Sequence, residues 1–149
     1  MKKAIFGIVA LTLLLASCNK SSSSSNSWTF KGTTYNTTTC ANVVGVLEAV
    51  TTNGTVSVVF YNNGPTVNTT YTVGANGNPG STSQVGVTLT VGTNNPVYYS
   101  STGGNGSNQS VQVSVSSTGK LTATGSGIML SNNTNPSDSA TVSLNITQQ

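Results

Sequence analysis

Two acidic side chains, one thiol without a nearby cation and no histidine limit what this chain of 149 residues could catalyse. Beyond residue 20 its acids are Glu48 and Asp138, its bases are Lys31 and Lys120, and it has no arginine. Without an imidazole there is no Ser-His-Asp or Cys-His arrangement to deprotonate a nucleophile. Cys40 has no cationic neighbour to stabilise its thiolate, so it is expected to be a small buried core residue. Metal sites need clustered histidine, cysteine or carboxylate ligands, and no such cluster occurs in the sequence, so neither a metal nor a cofactor is expected. The one conventional catalytic pair is Glu48 with Asp138, as acid and nucleophile of a glycosidase, which would need them about 5 to 9 Å apart across a cleft. One falls in a predicted strand and the other after a predicted loop. They read as two surface acids, and no catalytic residue is assigned.

Another thiol has a more specific context. The chain opens Met1-Lys2-Lys3 and continues with an apolar run from Ala4 to Ala16. That run is shorter than the roughly twenty apolar residues a helix needs to cross a bilayer. A basic start, a short apolar centre and small residues at its end describe a secretory signal peptide. The segment Leu15-Ala16-Ser17-Cys18 resembles the bacterial lipobox, in which a leucine and two small residues precede an obligatory cysteine. The resemblance implies diacylglycerol on the Cys18 sulfur, cleavage before Cys18 and acylation of the new amino group. Several acyl chains matter, because one alone holds a protein only marginally at about 0.8 kcal/mol per buried methylene. Residues 1–17 are then a signal peptide, 18–27 a lipidated cysteine with a serine-rich tether, and 28–149 a single folded domain. The partner is membrane lipid. The expected location is the cell envelope, at the outer membrane, with the periplasmic and surface faces both open. Lipidation of Cys18 also removes the disulfide partner of Cys40.

The formal charge of +3 rests largely on Lys2 and Lys3, which processing removes. A near-neutral product cannot supply the several cationic contacts to phosphate that nucleic-acid binding requires.

The elements that must position any site are strands. Val56 to Phe60, Val85 to Val91, Val111 to Val115 and Val142 to Ile146 place an apolar residue at every second position, with mainly Ser, Thr, Asn, Gln or Gly between. Shorter matches occur at 28–30, 71–73, 121–123 and 128–130. Ala41 to Val50 also reads as strand, because its valines outweigh its helical potential. The pattern predicts an all-β fold, an antiparallel β-sandwich of about eight to ten short strands, with a β-barrel as the alternative. Asn53-Gly54 predicts a two-residue hairpin pairing Thr51 with Val56, Ala49 with Val58 and Leu47 with Phe60. Ser117-Thr118-Gly119 predicts a three-residue loop pairing Val115 with Leu121 and Val113 with Ala123. Turn-rich loops are expected over 74–80, 93–96, 103–108 and 131–137. Threonines at alternate positions, such as Thr88 with Thr90 or Thr122 with Thr124, read as ordinary outward strand residues.

Two further resemblances concern function. Asp138-Ser139-Ala140 resembles the short Asp-Ser/Thr-apolar site at which Bacteroidota O-glycosylate exported proteins, which would make Ser139 the acceptor. The lipobox, the serine tether, Trp28 to Tyr35, Ser110 to Val115, Gly119 to Ala123 and the closing Thr141 to Thr147 strand together resemble small uncharacterised Bacteroidota lipoproteins. That resemblance implies a compact β-sandwich and carries over no catalytic residue. Asn19-Lys20 and serines follow Cys18 where surface-exported members often carry acids. The expected function is a non-catalytic module binding a glycan, peptide or partner protein, with Tyr61, Tyr98, Tyr99 and Trp28 as contact candidates. Tyr98 and Tyr99 are adjacent on a strand, so one should face inward and the other outward. The alternative is an assembly subunit or adhesin-like protein that pairs through exposed strand edges.

Overall fold

The computed structural model describes residues 26–103 and 109–149, so the signal segment, Cys18 and the serine run lie outside the described residues. The chain is all-β. The alternating segments form β1 (Ser27–Phe30), β2 (Thr33–Asn36), β3 (Thr39–Val43), β4 (Val46–Thr51), β5 (Gly54–Phe60) and β6 (Thr69–Val73). They continue with β7 (Gln84–Val91), β8 (Val97–Ser101), β9 (Ser110–Val115), β10 (Leu121–Asn132) and β11 (Ser139–Thr147). Eleven described strands exceed the eight to ten expected, because short turns divide segments that read as continuous.

Hydrogen-bonded neighbours run β2-β1-β11-β10-β9-β6-β7-β5-β4-β3, and β8 pairs with both β10 and β7. The path folds into a sandwich-like pair of layers, one centred on β1, β11 and β10, the other on β7, β5 and β4. β6 joins them on one side by pairing with β9 and, in parallel, with β7. The arrangement is therefore mixed and not purely antiparallel. At the other side the chain changes partner within two residues: the Thr37 N–H donates to the Asn26 carbonyl and the Thr38 N–H to the Val50 carbonyl. Strands that switch layers in this way form the corners of such folds. Between the layers lies one apolar core, in which Trp28, Leu47, Leu89, Ile128, Leu130 and Ile146 are the largest fully buried side chains.

Local geometry explains the departures from the predicted strands. Val44 and Gly45 both have positive φ, at 48° and 79°, and turn the chain between Val43 and Val46, where a continuous strand was expected. Lys31-Gly32 makes the same kind of turn between β1 and β2. The predicted Asn53-Gly54 hairpin instead turns at Thr52-Asn53, so Thr51 pairs with Gly54, Ala49 with Val56 and Leu47 with Val58. Gly54 is not needed for a left-handed turn. It is needed for close approach: a Cβ there would lie 2.6 Å from the Thr90 carbonyl oxygen and 3.1 Å from the Trp28 indole. The shift preserves the two-residue period, so Leu47, Ala49, Val56 and Val58 still face the core. The loop at Ser117-Thr118-Gly119 has the expected register, with Gly119 at φ 80°. Of the predicted loops, the one from Ser131 begins later, because β10 runs to Asn132, and the one over 103–108 lies outside the described residues from 104 onward.

One end of the molecule gathers both limits of the described fold. Asn26 exchanges hydrogen bonds with Thr147, at 2.6 and 2.9 Å. Beyond Thr147, the Gln148 N–H bonds to the Leu121 carbonyl and the Gln149 N–H to the Cys40 carbonyl of β3. The 61–68 loop closes on this end, with Gly64 packed against the Leu121 side chain.

Candidate functional site

Strand pairing brings together a surface of neutral hydrogen-bonding groups. On the outer face of the first layer Thr70 lies opposite Gln112, Gln112 opposite Thr124, Thr124 opposite Asn145, Asn145 opposite Ser27, and Ser27 opposite Asn36. The row crosses β6, β9, β10, β11, β1 and β2 at the usual strand spacing of about 4.8 Å. Its side chains face outward because their chain neighbours Tyr71, Val111, Val113, Ala123, Leu144, Ile146 and Trp28 fill the core. Ser114, opposite Thr122, begins a parallel row beside it.

Two adjoining shallow grooves share Gln112 and Thr124 as floor, one of about 290 Å³ bordered by Asn68, Thr70 and Ser114, the other of about 430 Å³ bordered by Ser110 and Ser126. A bulge in β10 between Gly125 and Ile128 shapes the second groove, with Ser126 and Gly127 exposed at the bulge. Among the described residues no charged side chain lines either groove. The Gln112 and Asn145 amides make no hydrogen bond among the described residues. Each carboxamide offers donors and an acceptor, and each hydroxyl can do both. The surface suits a neutral ligand rich in hydroxyl groups.

The charged groups lie elsewhere. At the β1–β2 turn the Lys31 ammonium donates to Asp138 at 2.5 Å and to the Tyr99 hydroxyl at 3.0 Å, and Tyr99 donates to the other Asp138 oxygen at 2.8 Å. The Asn132 amide adds a bond to Asp138 at 3.2 Å. Lys31, then Tyr99 and Asn132, hold the Asp138 carboxyl at about 2, and the hydrogen bonds to Asp138 and Tyr99 raise Lys31. A carboxyl held ionised in this way is poorly placed to act as a general acid. Glu48 sits on the outer face of the second layer, where it accepts a hydrogen bond from Ser57 at 3.4 Å. Neither acid lines either of the two grooves, and Glu48 lies on the second layer while Asp138 is held at the β1–β2 turn.

The three tyrosines expected to form a contact surface are separated. Tyr99 faces the core at 5% exposure, packed edge-on against Phe30, while Tyr98 faces out at 54%. Tyr61, also exposed, follows β5 beside the 61–68 loop. Trp28 is fully buried and stacked on Tyr35. Val46 and Val59, beside Tyr61 on the outer face, are half-buried. Cys40 is buried, and desolvation with the nearby Glu48 charge pushes its thiol up to about 12. Ser139 is exposed at the start of β11, opposite Ser131. Among the described residues no group of three metal-ligating side chains occurs.

The polar row is apparent in the sequence only at its centre, where the predicted β9–β10 register sets Gln112 opposite Thr124. Alternation marks each of its members as outward-facing, but which strands stand side by side depends on tertiary pairing.

Compared with protein-family models, with curated proteins and with solved structures, the chain matches none.

Proposed function

We propose that the chain is a lipid-anchored, non-catalytic module of the cell envelope, held through Cys18, that binds a neutral glycan on the outer face of its first layer. The observation that supports this reading is the uncharged row from Thr70 through Gln112, Thr124, Asn145 and Ser27 to Asn36, with its two grooves. A sugar chain presents hydroxyls along its length, and paired amides and hydroxyls bond it without desolvating a charge. Among the described residues no cation lines this face, so an anionic ligand has nothing there to pair with. Assembly through strand edges has less support. The free edge of β2 is four residues long, and the β3 edge already accepts the Gln149 N–H at Cys40.

Retention of the processed full chain on an array of neutral and anionic glycans tests the proposal. Neutral glycans should be retained, and Gln112→Ala with Thr124→Val should release them. Retention of none, or of anionic glycans alone, would refute it.

A further inference from the structure

The end of the molecule that holds Asn26 also carries most of the exposed large apolar side chains among the described residues. Val44 is 87% exposed, and Val43, Tyr61 and Val67 are each more than half exposed. Packing joins them to the Asn26 end. The Asn26–Thr147 bonds place the start of β1 beside the end of β11, and Gln148 ties that end to Leu121. Leu121 meets Gly64 in the 61–68 loop, which contains Val67. At the start of that loop, the backbone of Asn62 packs against Gly45, next to Val44, and the Gly45 carbonyl accepts the Phe60 N–H. Lys120 is exposed on the loop preceding Leu121, without an ion pair among the described residues.

We propose that this end, formed by Val43, Val44, Tyr61, Val67 and Lys120, rests on the surface of the bilayer that holds the acylated Cys18. The inference rests on the lipid-anchor reading above. Only residues 19–25 separate the acylated cysteine from Asn26. A chain of that length reaches about 29 Å at full extension, so the Asn26 end stays close to the membrane. Valines enter the boundary between headgroups and acyl chains, a tyrosine suits that boundary with its ring in and its hydroxyl at the water, and a lysine is drawn to anionic headgroups. Val44 gives an independent reason to look for a function here. A β-branched residue at φ 48° is strained, and an exposed turn tip has no packing to justify valine. Bilayer contact supplies that justification. The loop from Asn133 to Ser137, at the far end of β10, would face away from the lipid.

The test uses the full processed chain in nanodiscs of phosphatidylethanolamine and phosphatidylglycerol that carry nitroxide on their headgroups. Val67→Cys and Asn133→Cys variants take a thiol-reactive fluorophore, since Cys40 is buried, and the parent chain treated in the same way sets the background. The Val67 label should be quenched several-fold and the Asn133 label left bright. Adding Val44→Asp and Lys120→Glu should restore the Val67 signal. Aspartate tolerates left-handed φ better than valine, so that loss will not come from unfolding. Equal brightness of both labels, or quenching at Asn133, would overturn the orientation. Mass spectrometry of the same preparation reads the anchor separately: a chain without acyl mass on Cys18 would overturn the anchoring itself.

Discussion

The indole of Trp28 lies flat against the ring of Tyr35 across the β1–β2 ladder, with centroids 3.8 Å apart and planes 9° from parallel. The same indole reaches the opposite layer, where its edge covers the bare backbone of Gly54. A strand pair at the end of the sheet path is thereby fixed to β5 by one side chain.

Trp28→Ala should therefore destabilise the fold by about 3–5 kcal/mol, as expected for truncating a buried aromatic. Gly54→Ala should cost about 1–3 kcal/mol, because the added methyl meets the Thr90 carbonyl and the indole together. Urea unfolding measures both: by far-ultraviolet circular dichroism for Trp28→Ala, which lacks the sole tryptophan, and by its fluorescence for Gly54→Ala. The Trp28 Nε1–H is buried without a partner among the described residues, so Trp28→Phe should be milder than Trp28→Ala.

The Lys31–Tyr99–Asp138 cluster sets a dependence on pH. Asp138 has a folded pKa lowered from 3.8 to about 2, so its contribution is present above pH 3.8 and is lost as pH falls toward 2. Lys31 is raised above 10.5, so its contribution holds below that value and is lost as pH rises past the folded pKa. Both side chains are partly solvated, so screening keeps the effect small. Thermal midpoints measured from pH 2 to 5 should fall less steeply in Asp138→Asn than in the parent.

Cys40 should not react with an aromatic disulfide reagent in the native state and should react fully once the chain is unfolded. Its thiol rises from 9.0 to about 12 on folding, so stability is lost as pH climbs from 9, and Cys40→Ala should remove that part of the alkaline slope. Cys40→Ser should cost about 1–3 kcal/mol by placing an unpaired hydroxyl in the core.

Val44→Asn should stabilise the fold by about 1 kcal/mol, since asparagine tolerates the left-handed region that valine resists. An unchanged or lowered unfolding midpoint would mean that Val44 makes a contact offsetting its strain.

Much of the fold can be read from local pattern. Alternating valines place β5, β7, β9 and β11, and the left-handed Gly119 fixes the β9–β10 register, because both signals lie within a few residues of what they determine. Gly54 shows where local reading fails. Asn-Gly is the strongest short hairpin signal, yet here the glycine is required by an indole 26 residues away in the sequence. Gly45 reads as strand for the converse reason: its turn is secured by Asn62 and Phe60, which the sequence does not mark as neighbours. The tyrosines were legible as candidates, and the inward–outward split of Tyr99 and Tyr98 followed from strand geometry. The polar row was legible only in part: Gln112, Thr124 and Asn145 lie on consecutive strands, as do Ser27 and Asn36, but the joining of β6 to β9 and of β11 to β1 are long-range events that no local pattern marks.

The most direct test of the account is the ratio of dissociation constants between the parent and a Gln112→Ala, Asn145→Ala double variant, for the neutral glycan best retained on the array. Removing two amides that bond the ligand should weaken binding about tenfold or more, at roughly 1 kcal/mol per hydrogen bond, while leaving the unfolding midpoint unchanged. A ratio near one, with both proteins folded, would contradict the placement of the glycan on this face.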